Sequence, residues 1–473
     1  MRIGSRQLTI VPRGKCSLHE LLADAGAVVP SDCGGAGTCG KCRVSIIDAG
    51  GERSVLACQH VPEAPAAVRL DGVGQIGRIR LIRRIGRRAA ATALRLAADI
   101  GTTTMSLAAV DVTQRRVVAR RETLNPQIVF GADVITRIAA GKKIHSARLE
   151  PELLRFMDEA GIPRRRPVVV VGNTVMAHFL MERSATSLGE FPYKSRLPLR
   201  HRLSHRRGGI RFEMLPLLGS FVGSDCTAAI LASGMYRSKR LSLLVDAGTN
   251  GEVVLGDRER MLVTSTAAGP AFEGATLACG SLAQAGAVKS VRYGKGRFVP
   301  DVIGGGEARS ICGSGVLDAV AEALRAGKVD PSGRIVHGER LEVSEGRKPV
   351  FLSQADLREV QLAKGAIASA IRILLAEWGA TTSDVQRVHI TGRFGSSMNP
   401  ASAARIGLLP PGPLARIRRH GNLALLGAIR ATLNPGLFAA AERFAARCRE
   451  VMLASHPGFE QTFVDSMQLE PWN

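Results

Sequence analysis

Four cysteines near the N-terminus constrain this chain more than any other feature. Cys33, Cys39 and Cys42 lie in the run CGGAGTCGKC, and Cys58 follows, which gives the spacing C-x5-C-x2-C-x15-C. The intervening glycines allow tight turns that direct backbone N–H groups towards sulfur. Four thiolates on such a loop are the usual ligands of a [2Fe–2S] cluster, although the plant-type first gap is one residue shorter. We therefore predict that these four cysteines hold a [2Fe–2S] cluster.

Two other uses of the cysteines fit the sequence less well. Structural zinc sites usually present their ligands as two close pairs, whereas three of these cysteines share one loop. Disulfide frameworks are typical of short secreted domains, but this chain has 473 residues and its other cysteines are scattered. Because free thiols and iron–sulfur clusters persist in reducing compartments, we expect a cytoplasmic protein.

The sequence around the cysteines predicts a small α+β domain of the ferredoxin type. Residues 7–11 alternate as a strand does, and residues 17–25 indicate a short helix. Ser17 followed three residues later by Glu20 is a capping box, the signature of a helix start. A second strand is predicted from Arg43 to Ile47, directly after the cysteine loop. This pattern favours a β-grasp fold.

The net charge of +23 is concentrated in part in an arginine-rich run over residues 77–88. Such a run is usually a solvated linker, and a docking surface for an acidic redox partner is the second interpretation. Nucleic-acid binding is the third, and because no recognised nucleic-acid-binding motif accompanies the charge, we do not expect it. No apolar run is long enough to span a membrane, so we expect no membrane partner.

A turn that occurs twice is the second feature of the sequence that indicates a chemical function. An apolar strand, a D-x-G-T turn and a second apolar strand occur at Asp99 and again at Asp246, 147 residues later. Turns of this type direct N–H groups and hydroxyls at phosphate, and their carboxylate holds Mg²⁺ or orients water. We assign Asp99 and Asp246 a catalytic role. The predicted phosphate-binding residues are Gly101, Thr102, Thr103, Gly248, Thr249 and Asn250.

Further glycine-rich turns follow predicted strands in the second half of the chain. Nucleotides require close backbone approach, which glycine permits. No Walker A motif is present in the sequence, so P-loop chemistry is not indicated. The additional residues that we predict to contact the nucleotide are Glu273, Gly313, Gly315, Gly392 and Gly395.

Several stretches resemble known families. The two turns resemble the phosphate-1 and phosphate-2 hairpins of the sugar kinase/Hsp70/actin (ASKHA) ATPases. Seven further stretches match a second family, and they are NPQIVFGADVITRI (125–138), GNTVMAH (172–178), DAGTNGE (246–252), AAGPAFEG (267–274), ICGSG (311–315), QLAK (361–364) and NPASAARIGLLP (399–410). Through these stretches the whole chain resembles the reductive activators of corrinoid proteins, which implies a multidomain protein with an α+β β-grasp ferredoxin domain and a two-lobed α/β ASKHA domain. We expect boundaries at residues 1–71, 72–95 (basic linker), 96–240 and 241–473.

The resemblance implies a function. Such activators pass one electron from a [2Fe–2S] cluster to the Co(II) of a cobalamin-binding protein, regenerate Co(I) and couple this transfer to ATP. It implies ATP and Mg²⁺ as cofactors, and a corrinoid protein and an upstream low-potential electron donor as partners. We also expect a homodimer. The alternative is a ferredoxin-like electron carrier whose nucleotide-binding domain only regulates it and which serves another low-potential metalloenzyme.

The coupling to ATP has a physical reason. A plant-type cluster has a potential near −400 mV, and the resemblance implies a Co(II)/Co(I) couple below it. For one electron, each ~59 mV of deficit costs a factor of ten in equilibrium. A gap of about 200 mV therefore costs roughly 4–5 kcal/mol, which nucleotide-driven conformational change would offset.

Two departures from the family pattern lead to expectations of their own. About 35 residues separate Cys58 from the first D-x-G-T strand, so we expect the linker and the middle domain of the longer members to be missing or reduced. The turn Thr391–Gly395 contains Arg393 where the family pattern has a small residue. We expect this arginine to affect the adenosine pocket.

Overall fold

The computed structural model describes residues 7–12, 14, 16–24, 29, 33, 35–40, 42–69, 91–131, 133–141, 149–248, 250–274, 277–346, 348–412 and 416–472. The arginine-rich run over residues 77–88 and its predicted roles lie outside these residues. The chain divides into two compact units. The first comprises Met1–Ala228 with Ala424–Glu442, and the second comprises Ala229–Leu423 with Arg443–Asn473.

The N-terminal region forms a four-stranded antiparallel sheet with one helix against it. Its elements are β1 (Gln7–Ile10), α1 (Leu18–Asp24), β2 (Arg43–Asp48), β3 (Gly51–Leu56) and β4 (Ala66–Arg69). The strand order is β1-β4-β2-β3. The predicted capping box is confirmed, since the Ser17 N–H donates to Glu20 Oε2 at 2.9 Å and the Glu20 N–H donates to Ser17 Oγ at 3.3 Å. Leu18, Leu22 and Ile46 lie in the core that this region buries.

The next part of the first unit is built on a six-stranded sheet. Its elements are β5 (Leu94–Ile100), β6 (Thr104–Asp111), β7 (Arg116–Leu124), α2 (Val134–Ala139), α3 (Glu150–Glu159), β8 (Val168–Gly172), α4 (Thr174–Leu180), α5 (Thr186–Gly189), β9 (Leu203–Arg207), β10 (Ile210–Met214) and the first half of α6 (Ser224–Ser233), whose residues from Ala229 belong to the second unit. The strand order is β7-β6-β5-β8-β10-β9. Strand β8 is buried along its length and pairs in parallel with a neighbour on each side, as expected of a central strand that reads as one apolar run.

A second six-stranded sheet forms the centre of the second unit, with smaller sheets beside it. The elements of the C-terminal part of the chain are β11 (Ser242–Ala247), β12 (Gly251–Gly256), β13 (Met261–Thr266), β14 (Ala287–Gly294), β15 (Arg297–Val302), β16 (Ser310–Ile311), α7 (Gly313–Arg325), β17 (Arg340–Ser344), β18 (Val350–Ser353), α8 (Gln354–Trp378), β19 (Arg387–Thr391), α9 (Gly392–Ser397), α10 (Pro400–Arg405), β20 (Ile417–Arg419), α11 (Leu423–Leu433), α12 (Gly436–Ala445), β21 (Cys448–Glu450) and α13 (Phe459–Asp465). The main sheet has the order β20-β19-β11-β12-β13-β21, and the smaller sheets are β15-β14-β16 and β17-β18.

The duplication predicted from the two turns extends through most of both sheets. The antiparallel meander β7-β6-β5 in one corresponds to β13-β12-β11 in the other. Each meander is followed by a parallel neighbour, β8 beside β5 and β19 beside β11. Asp99 pairs with Ser106, and Asp246 pairs with Glu252, at the same position before each turn. The two halves are therefore two copies of one α/β arrangement, as predicted for the ASKHA fold.

The longest helix, α8, begins with a capping box. Ser353 caps α8, because its Oγ accepts from the Asp356 N–H at 3.1 Å while Asp356 Oδ2 accepts from the Ser353 N–H at 2.8 Å. Gly379, with a φ of 76°, ends the helix in the left-handed conformation that glycine favours. Within the residues described above, no helix has the length and apolar character needed to cross a membrane.

Candidate functional site

The first D-x-G-T turn closes tightly on its own backbone. The Gly101 N–H donates to the Thr104 carbonyl at 2.9 Å. A Cβ at Gly101 would lie 2.8 Å from that same carbonyl oxygen, so the turn requires glycine there. Asp99 is half-buried one residue before the end of β5, and Thr102 is buried. The structure therefore gives the four residues that we predicted here a fixed backbone geometry.

Two buried side chains that the sequence analysis gave no role hold this turn. The Asn125 backbone N–H donates to the Thr103 carbonyl and its Nδ2 donates to the Gly101 carbonyl, both at 2.8 Å. Arg137 Nη2 donates to the Thr102 carbonyl at 2.6 Å, and its Nε donates to the Gly131 carbonyl at 2.8 Å. Asn125 and Arg137 therefore donate hydrogen bonds to the carbonyls of three consecutive residues of the turn, 101–103.

Arg137 carries a positive charge that is enclosed in the protein. Its side chain is fully buried, and burial lowers its pKa from 12.5 to about 9, so it stays protonated at neutral pH. Its guanidinium donates to these two carbonyls and lies 4.0 Å from Met176 Sδ, and the charge of nearby Asp133 offsets part of the effect of burial on its pKa. A buried cation beside a phosphate-type turn favours an anionic ligand there. This observation fits the phosphate-binding role that we predicted for the turn.

Asn173 joins the first turn to the neighbouring strand and helix. Its Oδ1 accepts from the Met176 N–H at 2.9 Å and caps α4, while its Nδ2 donates to Thr102 Oγ1 at 3.0 Å. A Cβ at Gly223 would lie 2.4 Å from the Asn173 Cα, which brings the start of α6 close to the same point. Asp225, in the first turn of α6, is half-buried, and the burial of its carboxyl group raises its pKa to about 6. Asp225 is a further residue to which the sequence analysis gave no role.

The backbone packs closely around the second D-x-G-T turn at positions that glycine occupies. A Cβ at Gly392 would lie 2.6 Å from Asp246 Oδ1 and 2.7 Å from the Ala247 carbonyl oxygen, and Gly392 has a φ of 91°. A Cβ at Gly248 would lie 4.0 Å from Glu273 Oε1. The structure thus brings Asp246, Gly248, Glu273 and Gly392 together. Thr249 lies outside the described residues, as does the side chain of Arg393.

The start of α7 belongs to the same group of residues. A Cβ at Gly313 would lie 1.8 Å from the Phe272 carbonyl oxygen and 3.1 Å from the Phe394 ring. The Phe272 and Phe394 rings stack with centroids 4.4 Å apart and an interplanar angle of 3°. Gly315 contacts a different element, because its Cβ would lie 2.3 Å from the Val288 carbonyl oxygen of β14. The nucleotide roles of Gly313, Gly315 and Gly395 stay predictions.

The cysteine loop has the backbone that a cluster loop requires. Gly35, Gly37 and Gly40 have φ values of 96°, 80° and 69°, in the region that favours glycine. Cys42 is buried, and the other three cysteines of the loop are half-buried and free of disulfides. The Sγ atoms of Cys42 and Cys58 lie 3.2 Å apart. Burial raises the pKa of the Cys42 thiol to about 11, with smaller contributions first from the neighbouring Cys58 and then from Cys39.

The distance between two of the cysteine sulfurs fits a two-iron cluster. A [2Fe–2S] cluster shares four thiolates between two irons, so each iron needs only two. Cys42 and Cys58 form one such pair. The residues present therefore fit the cluster that we predicted.

Family models match the chain in three consecutive segments. The 2Fe–2S iron–sulfur cluster binding domain matches residues 1–63, the RACo middle region matches residues 94–238, and the C-terminal domain of RACo, the ASKHA domain, matches residues 240–472. One expectation from the sequence is thereby wrong. The middle region of the longer proteins is present, because the segment that we interpreted as the first ASKHA lobe is that region.

Relatives and a solved structure are also similar to this chain. The corrinoid activation enzyme RamQ of Eubacterium limosum is 32% identical over 413 residues, which are 78% of this chain and 69% of RamQ. The Co(II) methylated amine-specific corrinoid protein reductase of Methanosarcina barkeri is 29% identical over 238 residues, 44% of this chain and 42% of that protein. A solved reductive activator for corrinoid, iron–sulfur protein has a TM-score of 0.71 at 25% identity, covering 97% of this chain and 96% of its own.

Proposed function

Because this chain belongs to the RACo family of reductive activators of corrinoid proteins, we propose that it performs ATP-dependent reductive activation of a corrinoid protein. In this reaction Co(II) is returned to Co(I) by one electron. The observation that carries the proposal is the combination, in one chain, of a four-cysteine loop with two D-x-G-T turns in matching sheets. The cysteine loop is suited to electron transfer, and the two turns are suited to binding ATP.

Cys33, Cys39, Cys42 and Cys58 are the proposed ligands of the [2Fe–2S] cluster. When bound, the cluster supplies a centre that takes up and releases single electrons. The glycine conformations of the loop turn the backbone around the sulfurs, and the half-buried position of three of the cysteines leaves the loop near the protein surface. An electron can therefore enter and leave here without crossing a thick layer of protein.

The two D-x-G-T turns are the proposed sites for Mg–ATP. Asp99 and Asp246 would organise Mg²⁺ and water, and the glycines, threonines and Asn250 of the turns would bind phosphate. Arg137 supports this role in the first turn, because its buried charge lies behind the Thr102 carbonyl. In the second turn, the contact between Gly392 and Asp246 fixes the backbone beside the carboxylate.

Several finer assignments belong to the same proposal. We propose boundaries at residues 71, 95 and 240, which agree within a few residues with the three matched segments, except that the cluster-domain match ends at residue 63. An upstream low-potential donor, a homodimeric state and a cytoplasmic location are proposed as well, the last because all nine cysteines are free. Light scattering coupled to size-exclusion chromatography tests the dimer.

The substitution Asp246→Ala tests the role of the second turn in ATP coupling. We expect a full cluster spectrum but at least a tenfold loss of ATP-stimulated corrinoid reduction, because removing an interaction specific to the reacting state costs ~1.4 kcal/mol or more. The measurement mixes reduced protein, ATP and a Co(II) corrinoid protein and follows the absorbance of Co(I). Asp99→Ala should act in the same direction.

Asp257→Ala is the matched control. Asp257 follows the second strand of the same hairpin, where its Oδ1 accepts from the N–H groups of Glu259 and Arg260. This variant should keep its ATP stimulation. If Asp246→Ala also kept it, the assignment would be wrong. If ATP bound without turnover and the corrinoid partner did not change phosphate release, the electron carrier with a regulatory nucleotide site would be the better description.

A further inference from the structure

Gln59 follows the fourth cysteine and folds back over the cysteine loop. Its Nε2 donates to the Gly35 carbonyl at 2.5 Å and to Cys58 Sγ at 3.6 Å. A primary amide has two N–H donors, so each acceptor takes one of them. The first bond ties residue 59 to residue 35 across the loop, and the second reaches the sulfur of a predicted cluster ligand.

The loop is shaped to receive this side chain. Gly37 has a φ of 80°, and a Cβ there would lie 3.0 Å from Gln59 Cγ and 3.3 Å from its Nε2. The Gln59 N–H donates to the Leu56 carbonyl at 2.9 Å, which fixes the backbone from which the side chain extends. Although the residue is exposed to solvent on its outer side, its amide is therefore placed by contacts with three loop residues.

We propose that Gln59 is a positioning residue that holds the cysteine loop and donates a hydrogen bond to the Cys58 thiolate, raising the reduction potential of the cluster. The proposal rests on Cys58 being a ligand of the cluster. Reduction adds negative charge to the cluster and its sulfurs, and a hydrogen bond to a charged acceptor strengthens as that charge grows. Hydrogen bonds to the sulfurs are accordingly one of the factors that set the potentials of iron–sulfur centres.

Two substitutions of Gln59 separate hydrogen bonding from charge. Gln59→Leu removes both donors without adding charge, and Gln59→Glu replaces the donors with a carboxylate of the same length. We expect the equilibrium for electron uptake to weaken about fivefold in Gln59→Leu and about tenfold or more in Gln59→Glu, the latter being a fall of ~59 mV in the one-electron midpoint potential. The measurement is a redox titration of the full chain, followed by electron paramagnetic resonance and preceded by iron analysis.

Val61→Glu is the matched control for charge. Val61 is 45% exposed, lies two residues further along and takes no part in the contacts of the amide. Its variant should keep two irons and change the potential less than Gln59→Glu does. Loss of iron from both Gln59 variants but not from Val61→Glu would support the loop-holding role.

Two outcomes would overturn the proposal, and they are distinguishable. If the wild-type chain binds no [2Fe–2S] cluster, the proposed function fails and this inference fails with it. If both Gln59 variants keep two irons per chain and the wild-type potential, the inference alone fails, because the cluster then neither needs nor senses the amide.

Discussion

In the first lobe, side chains hold the D-x-G-T turn, whereas in the second lobe close backbone packing does. Behind Gly101–Thr103, hydrogen bonds come from Asn125 and Arg137. Gly392 packs against Asp246 and Gly313 packs against Phe272, and neither position leaves space for a methyl group. The same strand order surrounds both turns. The same sheet arrangement therefore occurs with two different ways of holding a phosphate-type turn. We expect substitutions to weaken the two turns in different ways.

Gly313→Ala should produce the largest effect, because it tests the packing of the second lobe. The added methyl would lie 1.8 Å from the Phe272 carbonyl oxygen, which is backbone and cannot rotate away. We expect a loss of about 3 kcal/mol, the upper range for an overpacked core position. Hydrogen exchange of peptides across α7 measures the local free energy of opening.

Gly436→Ala is the control, since Gly436 also begins a helix. There the nearest atom to an added methyl is Asn434 Oδ1 at 3.2 Å. This variant should lose nothing and should gain up to ~1 kcal/mol from the lower entropy of the unfolded chain. Equal effects at both glycines would show that close packing does not hold the second turn.

Arg137→Met tests the side-chain support of the first lobe. The substitution leaves the carbonyls of Thr102 and Gly131 buried without a donor, which costs about 2 kcal/mol. It also removes the buried charge, so we expect the dissociation constant for an ATP analogue to rise, as isothermal calorimetry would measure.

Arg137→Lys separates the role of the charge from that of the hydrogen bonds. Lysine keeps the charge but cannot donate to both the Thr102 and the Gly131 carbonyls. It should restore part of the affinity and little of the stability. Arg164→Met provides the control, since the exposed Arg164 pairs with the exposed Asp158 at 2.8 Å and such surface pairs contribute ~0–1 kcal/mol. An Arg137→Met protein with unchanged affinity would contradict the electrostatic role.

The smallest expected difference between the lobes concerns how the stability of each depends on pH. The two dependences should have opposite signs, which makes this difference the most specific one. Burial raises the pKa of Asp225 to about 6, so the folded state binds the proton more tightly than the unfolded state. The stability of the first lobe should therefore fall as pH rises from 5 towards 6. Burial and then the nearby His420 lower the pKa of His389 from 6.5 to about 4, so the stability of the second lobe should rise over the same range.

Hydrogen exchange at pH 5 and pH 7 checks both signs in one sample, with peptides from β8 and α6 reporting the first lobe and peptides from β19 reporting the second. Asp225→Asn and His389→Gln should each flatten the pH dependence of its own lobe. The same sign of change in both lobes would exclude one of the two assignments.

The sequence predicted the parts of the molecule that depend on local spacing. The capping box at Ser17 is confirmed, because a cap needs only residues three positions apart. The duplicated hairpins are also visible in the sequence, since each strand and turn is contiguous. The topology around them follows, because a hairpin and its parallel neighbour have few ways to pair.

The support of the turns was not predictable in the same way. Arg137 lies 35 residues from Thr102 and looks like one basic residue among many in a chain with a net charge of +23. Nothing in the sequence shows that it is fully buried. The expectation that the middle domain is missing failed for a related reason. It rested on the short distance between Cys58 and the first D-x-G-T strand, and that distance does not show that the middle region itself forms the first lobe.

Three hydrophobic clusters among the described residues each fall within one region of the chain, and this has a consequence for calorimetry. The described clusters lie within residues 10–68, 94–217 and 243–472, and they share no residue. Cooperative unfolding requires that the loss of one contact weaken the rest, which clusters without a shared residue do not ensure. A heating scan of this protein should therefore contain more than one transition, and a single melting temperature would describe no part of it.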